Sequence, residues 1–166
     1  MSIDFSKVKT ITIPEGSVKK ITDSNGVVLW KEKSAGWHTV WEGNKKIGYG
    51  GYTGKEFLFA TEPYSEALKI RVSFSGIRAY NVSSGDEGYS NYTPSNKTSP
   101  VTYENFSSNL NELVGAYRHN TTRNAYYGAY LYYNKNTGKI YGSTSAYNDG
   151  GNARAYIVIT KIEVYS

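Results

Sequence analysis

Tyrosine is the residue whose abundance and spacing promise chemistry in this chain. The 166 residues include 17 tyrosines, roughly three times ordinary usage. Many crowd one stretch: Tyr117, Tyr126, Tyr127, Tyr130, Tyr132, Tyr133, Tyr141 and Tyr147. On an extended strand, Tyr126, Tyr130 and Tyr132 share one face, with Gly128 between them. Tyr127, Ala129, Leu131 and Tyr133 share the other face, which Leu131 marks as the core side. A strip of phenol rings offers flat apolar surface with hydroxyls at its rim, which suits sugar rings and protein surfaces. Arg118, Arg123 and Asn124 stand close by in sequence and add donors for sugar hydroxyls or for phosphates of a wall polymer. The candidate binding set is therefore Tyr126, Tyr130, Tyr132, Tyr147, Arg118, Arg123 and Asn124. For any single tyrosine the opposing reading is strong, because β-propensity and cross-strand aromatic pairing alone favour Tyr in sheets.

Other chemistry finds less support. Asp86 and Glu87 adjoin in one loop and Asp149 sits in a Gly-rich turn, but nothing sets them face to face as glycoside cleavage requires. There is no Gly-X-Ser-X-Gly elbow. His38 and His119 are the only histidines, neither has a ligand partner two or four residues on, and there is no cysteine. The run Gly48-Tyr49-Gly50-Gly51-Tyr52-Thr53-Gly54 lacks the Lys-Ser/Thr of a phosphate loop. The expectation is a protein that is no enzyme and takes no metal or cofactor.

Strands must position the rings. Val8–Ile13, Val18–Thr22 and Val27–Trp30 read as a small three-stranded module, with Asn25-Gly26 as a hairpin turn. Lys31–Gly36 reads as a linker. Beyond it, Trp37–Trp41 alternates, placing Trp37, Thr39 and Trp41 on one face. Leu68–Phe74 is the cleanest period-2 run, with Leu68, Ile70, Val72 and Phe74 inward, and Ile77–Val82 is expected to pair beside it. Ser83–Ser108 reads as a long loop, anchored by Tyr89, Tyr92 and Tyr103, with one short strand near Pro100–Tyr103. Leu110–Val114 hints at one helical turn. Ala125–Tyr133 turns through Asn134–Gly138 into Lys139–Ser143. The final strand, Ala153–Tyr165, has Ile157 and Ile159 on one face and Val158, Ile162 and Val164 on the other, which suggests a strand covered on both sides or an oligomer contact. About ten to twelve strands with frequent turns define an all-β chain. The expected fold is an antiparallel β-sandwich, jelly-roll-like, over residues 34–166, preceded by the three-stranded β module over 1–33.

Composition limits the partners. The net charge is +5 and the pI about 9.2, but the excess is spread along the chain without a block of like charge. Such a diffuse charge gives a slight pull toward acidic surfaces. No apolar stretch approaches the roughly 18 residues of a membrane span, and the opening MSIDFSKVKT has no apolar core of a secretory signal. Membrane insertion is not expected, and nucleic-acid binding through Tyr and Arg is the weakest of the readings.

Some segments look familiar. Val8 to Trp30, VKTITIPEGSVKKITDSNGVVLW, resembles a segment near the starts of virion structural proteins of tailed phages and prophages of Gram-positive bacteria. WHTVWEG (Trp37 to Gly43), LKIRVSFSG (Leu68 to Gly76) and AYIVITKIEVY (Ala155 to Tyr165) resemble distal domains of phage tail or fibre proteins. The resemblance covers both ends and the centre, leaves out Ser83–Ser108 and the Tyr hairpin, and carries no site residues. It implies a β-rich virion protein, often trimeric, made in the host cytoplasm, which builds the fibre or attaches the particle to surface glycans. Residues 1–33 are expected to dock onto other virion proteins or to drive self-association, since a meander that short has little core of its own. Three readings stay open: a tail or fibre component binding a host-surface glycan, a purely structural or head-decoration protein with Tyr faces as subunit interfaces, and a cell-wall polysaccharide hydrolase.

Overall fold

The computed structural model describes residues 20–22, 28–31, 35–60, 64, 66–83, 90–148 and 152–166. It divides into two compact units, Met1–Ala35 and Gly36–Ser166. In the first, β1 (Lys20–Thr22) pairs antiparallel with β2 (Val28–Lys31), Ile21 opposite Trp30. The expected strand over 8–13 and the Asn25-Gly26 turn lie outside the described residues.

The second unit is a sandwich of two antiparallel sheets. Its strands are β3 (Trp37–Gly48), β4 (Phe57–Leu58), β5 (Lys69–Asn81), β6 (Ser90–Thr93), β7 (Val101–Glu104), β8 (Leu110–Asn120), β9 (Ala125–Asn134), β10 (Lys139–Tyr147) and β11 (Ala153–Tyr165). One sheet has five strands in the order β4-β10-β9-β8-β6; the other has four, β3-β11-β5-β7. The core lies between them. Ile70, Val72 and Phe74 of β5 and Ile157, Ile159, Ile162 and Val164 of β11 face Val114, Leu131, Tyr133 and Ile140 of the other sheet, all buried. Each fully buried aliphatic of this kind contributes about 1.5–3 kcal/mol.

Two sequence expectations about faces are corrected by bulges. In β11 the register with both neighbours shifts between Ile159 and Lys161. One extra residue there reverses the alternation, so Ile162 and Val164 join Ile157 and Ile159 on the core face instead of opposing them. In β3, pairing passes from Trp41 opposite Ile162 to Thr39 opposite Glu163, skipping Val40. Trp41 therefore packs inward, edge-on to Phe59, while Trp37 stands outside against Tyr165. Strict alternation had put the two tryptophans on one face.

Four further expectations change. Ile77–Val82 does not pair beside Leu68–Phe74: residues 69 to 81 form one strand, β5, whose long partner is β11. Leu68 precedes that strand and is 62% exposed, not inward. Leu110–Val114 opens strand β8 instead of a helical turn, and its helix-like spacing reflects a bulge at Leu113, where pairing jumps from Glu112–Tyr132 to Val114–Leu131. The expected loop Ser83–Ser108 contains two strands: β7, close to the expected one, and β6, paired with β8. Tyr92 of β6 reaches across the sandwich, its hydroxyl accepting the Ala79 N–H at 3.2 Å. Tyr89 lies outside the described residues.

Candidate functional site

The hairpin β9–β10 sets the site. Gly138, at φ 67°, closes its turn and places Lys139 opposite Asn134. That register puts Tyr141 opposite Tyr132, Ser143 opposite Tyr130, Ser145 opposite Gly128 and Tyr147 opposite Tyr126. On the other side of β9, Glu112, Gly115, Tyr117 and His119 of β8 stand opposite Tyr132, Tyr130, Gly128 and Tyr126. Cross-strand neighbours point to the same side of a sheet. All these residues therefore line the outer face of the five-stranded sheet, while Ala129, Leu131 and Tyr133 are buried beneath.

The rings on this face stack in two groups. Tyr130 and Tyr132 stack with centroids 5.6 Å apart and planes 26° from parallel, and Tyr141 follows at 5.7 Å and 43°. Toward the other end Tyr126 and Tyr147 stack at 6.4 Å and 15°. Glycines make room for this. A β-carbon at Gly128 would stand 2.5 Å from Cε2 and Cζ of Tyr130, and one at Gly115 would stand 2.9 Å from Tyr130 Cδ1. The Tyr130 ring thus lies down across the sheet over two residues that have no side chain. Polar groups fix the margins: the Tyr126 hydroxyl bonds Ser145 Oγ at 2.7 Å, and the Asn91 amide donates to the Tyr117 hydroxyl.

Among the described residues the face is polar and carries basic groups only at its margins. The Glu112 carboxylate folds back over Gly115, beside Tyr130. Burial, and then the neighbouring Tyr132 and Glu112, push the Tyr130 hydroxyl up from its ordinary value. Burial, Glu112 and Tyr141 push Tyr132 up to about 12. Burial and Glu56 raise Tyr141 as well. At neutral pH these phenols are therefore uncharged hydrogen-bonding groups.

Of the residues expected at the site, Tyr126, Tyr130, Tyr132 and Tyr147 share this face. Arg118 does not. It is 1% exposed, on the inner side of β8, and donates from Nε to Asn81 Oδ1 of β5 at 3.2 Å. The inner face near it carries Ala79, Ala116, Ala129 and Ala155, whose small side chains leave room for a guanidinium. Arg118 ties the two sheets together and is withdrawn from any ligand on the outer face. Arg123 and Asn124 lie in the β8–β9 turn, where Asn120 Oδ1 accepts the Arg123 N–H at 3.1 Å. Asn124 takes φ 44°, and its carbonyl accepts from Asn148 at 3.0 Å. Asn124 thus shapes the turn, and Arg123 stays exposed at its edge.

Sequence reasoning left out Tyr117, Tyr141 and Glu112 from the candidate set. The hairpin turn was the signal for Tyr141, since its register alone pairs Tyr141 with Tyr132. Glu112 was hidden by the helical reading of its segment.

Among the described residues no cluster of three or more His, Asp or Glu is placed to hold a metal. Asp86, Glu87 and Asp149 lie outside the described residues. Comparison with protein-family models, curated proteins and solved structures finds no match to this chain.

Proposed function

We propose that this chain is a virion structural protein of a tailed phage, a tail or fibre component, whose sandwich binds a host-surface glycan through the tyrosine face. The observation that carries the binding reading is the row Tyr130–Tyr132–Tyr141 on an outward sheet face, with the Tyr130 ring laid over Gly128 and Gly115. Flat, preorganised rings with neutral hydroxyls lose little freedom on meeting a sugar ring, which is what gives such surfaces affinity. The phage assignment rests on the resemblance of the segments at Val8–Trp30, Trp37–Gly43, Leu68–Gly76 and Ala155–Tyr165. On this reading the sandwich is jelly-roll-like, residues 1–33 form a three-stranded attachment module toward other virion proteins, and the protein is a trimer in the particle. With Ile162 and Val164 turned into the core, the last strand no longer argues for an oligomer; self-association rests on the small size of the 1–33 module, and its threefold form on the resemblance.

A second reading has its own support. Leu58, opposite Tyr141, and Leu110, opposite Asn134, are 46% and 49% exposed on the same face. Apolar residues bordering aromatic ones are typical of protein interfaces, so the face would then be a subunit contact.

One experiment separates the two. The full chain is tested for binding to cells and extracted wall polysaccharide of Gram-positive hosts and weighed by light scattering, alongside the Tyr126→Ala/Tyr130→Ala/Tyr132→Ala triple variant. Glycan binding lost in the variant, at unchanged mass and fold, supports the glycan reading. Loss of an oligomer without any glycan binding supports the interface. Presence of the protein in purified virions tests the assignment to the particle.

A further inference from the structure

The charges around the ring row narrow the ligand. This inference rests on the glycan reading of the same face. The carboxylate of Glu112 sits among the rings, over Gly115 and beside Tyr130. Among the described residues the basic groups on the face are peripheral: Lys139 at the hairpin end opposite Asn134, and His119 opposite Tyr126. Arg118, the cation nearest to Glu112 in sequence, points inward. Several cations of the sandwich stand on the outer face of the other sheet instead. There Lys46 covers Tyr156, Arg78 covers Tyr80, and Arg71 and Lys161 bind Glu163.

We infer that the tyrosine face selects uncharged glycans, built of neutral hexose or N-acetylhexosamine units, and rejects polyanionic wall polymers such as poly(glycerol phosphate). A phosphodiester chain laid along Tyr130, Tyr132 and Tyr141 would bring its charge against the Glu112 carboxylate, with no central cation among the described residues to offset it. Like charges brought together in this way select against the wrong partner more strongly than they strengthen the right one. A neutral sugar meets no such penalty. Its apolar ring face lies on the phenols and its hydroxyls meet Tyr, Ser143 and Ser145.

The test uses the full chain on a printed array of neutral, N-acetylated, sialylated and phosphorylated glycans, with soluble poly(glycerol phosphate) measured separately at low and high salt. The glycans retained should be uncharged. Glu112→Lys should raise the affinity for poly(glycerol phosphate) roughly tenfold at low salt, with the gain erased at high salt. Glu112→Gln, which removes the charge but keeps the shape, should move binding in the same direction by a smaller factor. Circular dichroism checks that each variant folds. Retention of mainly acidic glycans, or folded Glu112 variants that gain no polyanion binding, overturns the selectivity and leaves the glycan platform standing. Binding to no glycan of either kind overturns the platform itself, and this inference with it.

Discussion

The ring of Tyr130 occupies the space that a side chain on Gly128 would need, with Cε2 and Cζ 2.5 Å from where its β-carbon would stand. The two residues are one repeat apart on the same face of β9. The glycine lets the ring lie flat, and the ring covers backbone that a glycine would otherwise leave bare. This pairing turns a strand that happens to be rich in tyrosine into an aromatic platform.

Gly128→Val should therefore disturb binding more than folding. The atoms it meets are the far end of a half-buried side chain, which can swing away. The expected stability change is within about 1 kcal/mol, with glycan binding roughly tenfold weaker as the row is broken. Gly48 provides the contrast. It holds φ 101°, and an added β-carbon would meet the Ala155 carbonyl oxygen and stand 2.8 Å from Ala129 Cβ. Gly48→Ala should cost about 1–3 kcal/mol. Chemical denaturation of both variants checks the pair, and equal losses would count against the platform geometry.

Adjacent tyrosines in β9 should behave oppositely. Tyr133 is fully buried, its hydroxyl donates to the Tyr64 carbonyl at 2.8 Å, and its ring meets Phe106 edge-on. Tyr133→Phe should cost about 1 kcal/mol through the lost hydrogen bond, and Tyr133→Ala about 3–5 kcal/mol through the cavity. Tyr132→Ala, on the outer face, should cost about 1 kcal/mol or less while weakening glycan binding. Denaturation midpoints and array binding, measured on the same preparations, distinguish the two roles.

Arg118 and Arg123 should likewise part company. Arg118→Leu removes the inter-sheet bond to Asn81 and leaves that half-buried amide oxygen short of a donor, at a cost of about 1–2 kcal/mol. Arg123→Ala, in an exposed turn, should stay within about 0.5 kcal/mol. Thermal unfolding of the two variants side by side is the check. A stable Arg118→Leu would mean that the guanidinium does not tie the sheets.

Acid should find a weak point on the four-stranded sheet. Hydrogen bonds from Arg71 at 2.8 Å and Lys161 at 2.9 Å hold the Glu163 carboxyl below its ordinary value. A carboxyl whose folded pKa lies below its unfolded one stabilises the fold at pH values above the unfolded pKa. That stabilisation disappears as the pH falls through the folded pKa. The melting-temperature gap between wild type and Glu163→Gln should thus be widest near neutrality and close as the solution is acidified past the ordinary glutamate range. A gap independent of pH would show that the ion pairs do not support the fold.

Much of this architecture was legible from residue order alone. Alternation in Leu68–Phe74 and Ala125–Tyr133, and the Asn134–Gly138 turn, were enough to define an antiparallel all-β chain and to assign Leu131 and Tyr133 to the core side of β9. The division of tyrosines between faces followed from the two-residue period of a strand, which depends only on covalent geometry. Tertiary structure decided the rest. The bulges near Thr160 and at Val40 and Leu113 each shift that period by one residue, and an inserted residue is visible only when the partner strand is in place. Arg118 is buried because β5 brings Asn81 and a lining of alanines opposite it, a partnership 37 residues distant in the chain. Glu112, Gly115 and Tyr141 enter the tyrosine face through pairing between strands, so the character of that surface belongs to the sheet and not to any one segment.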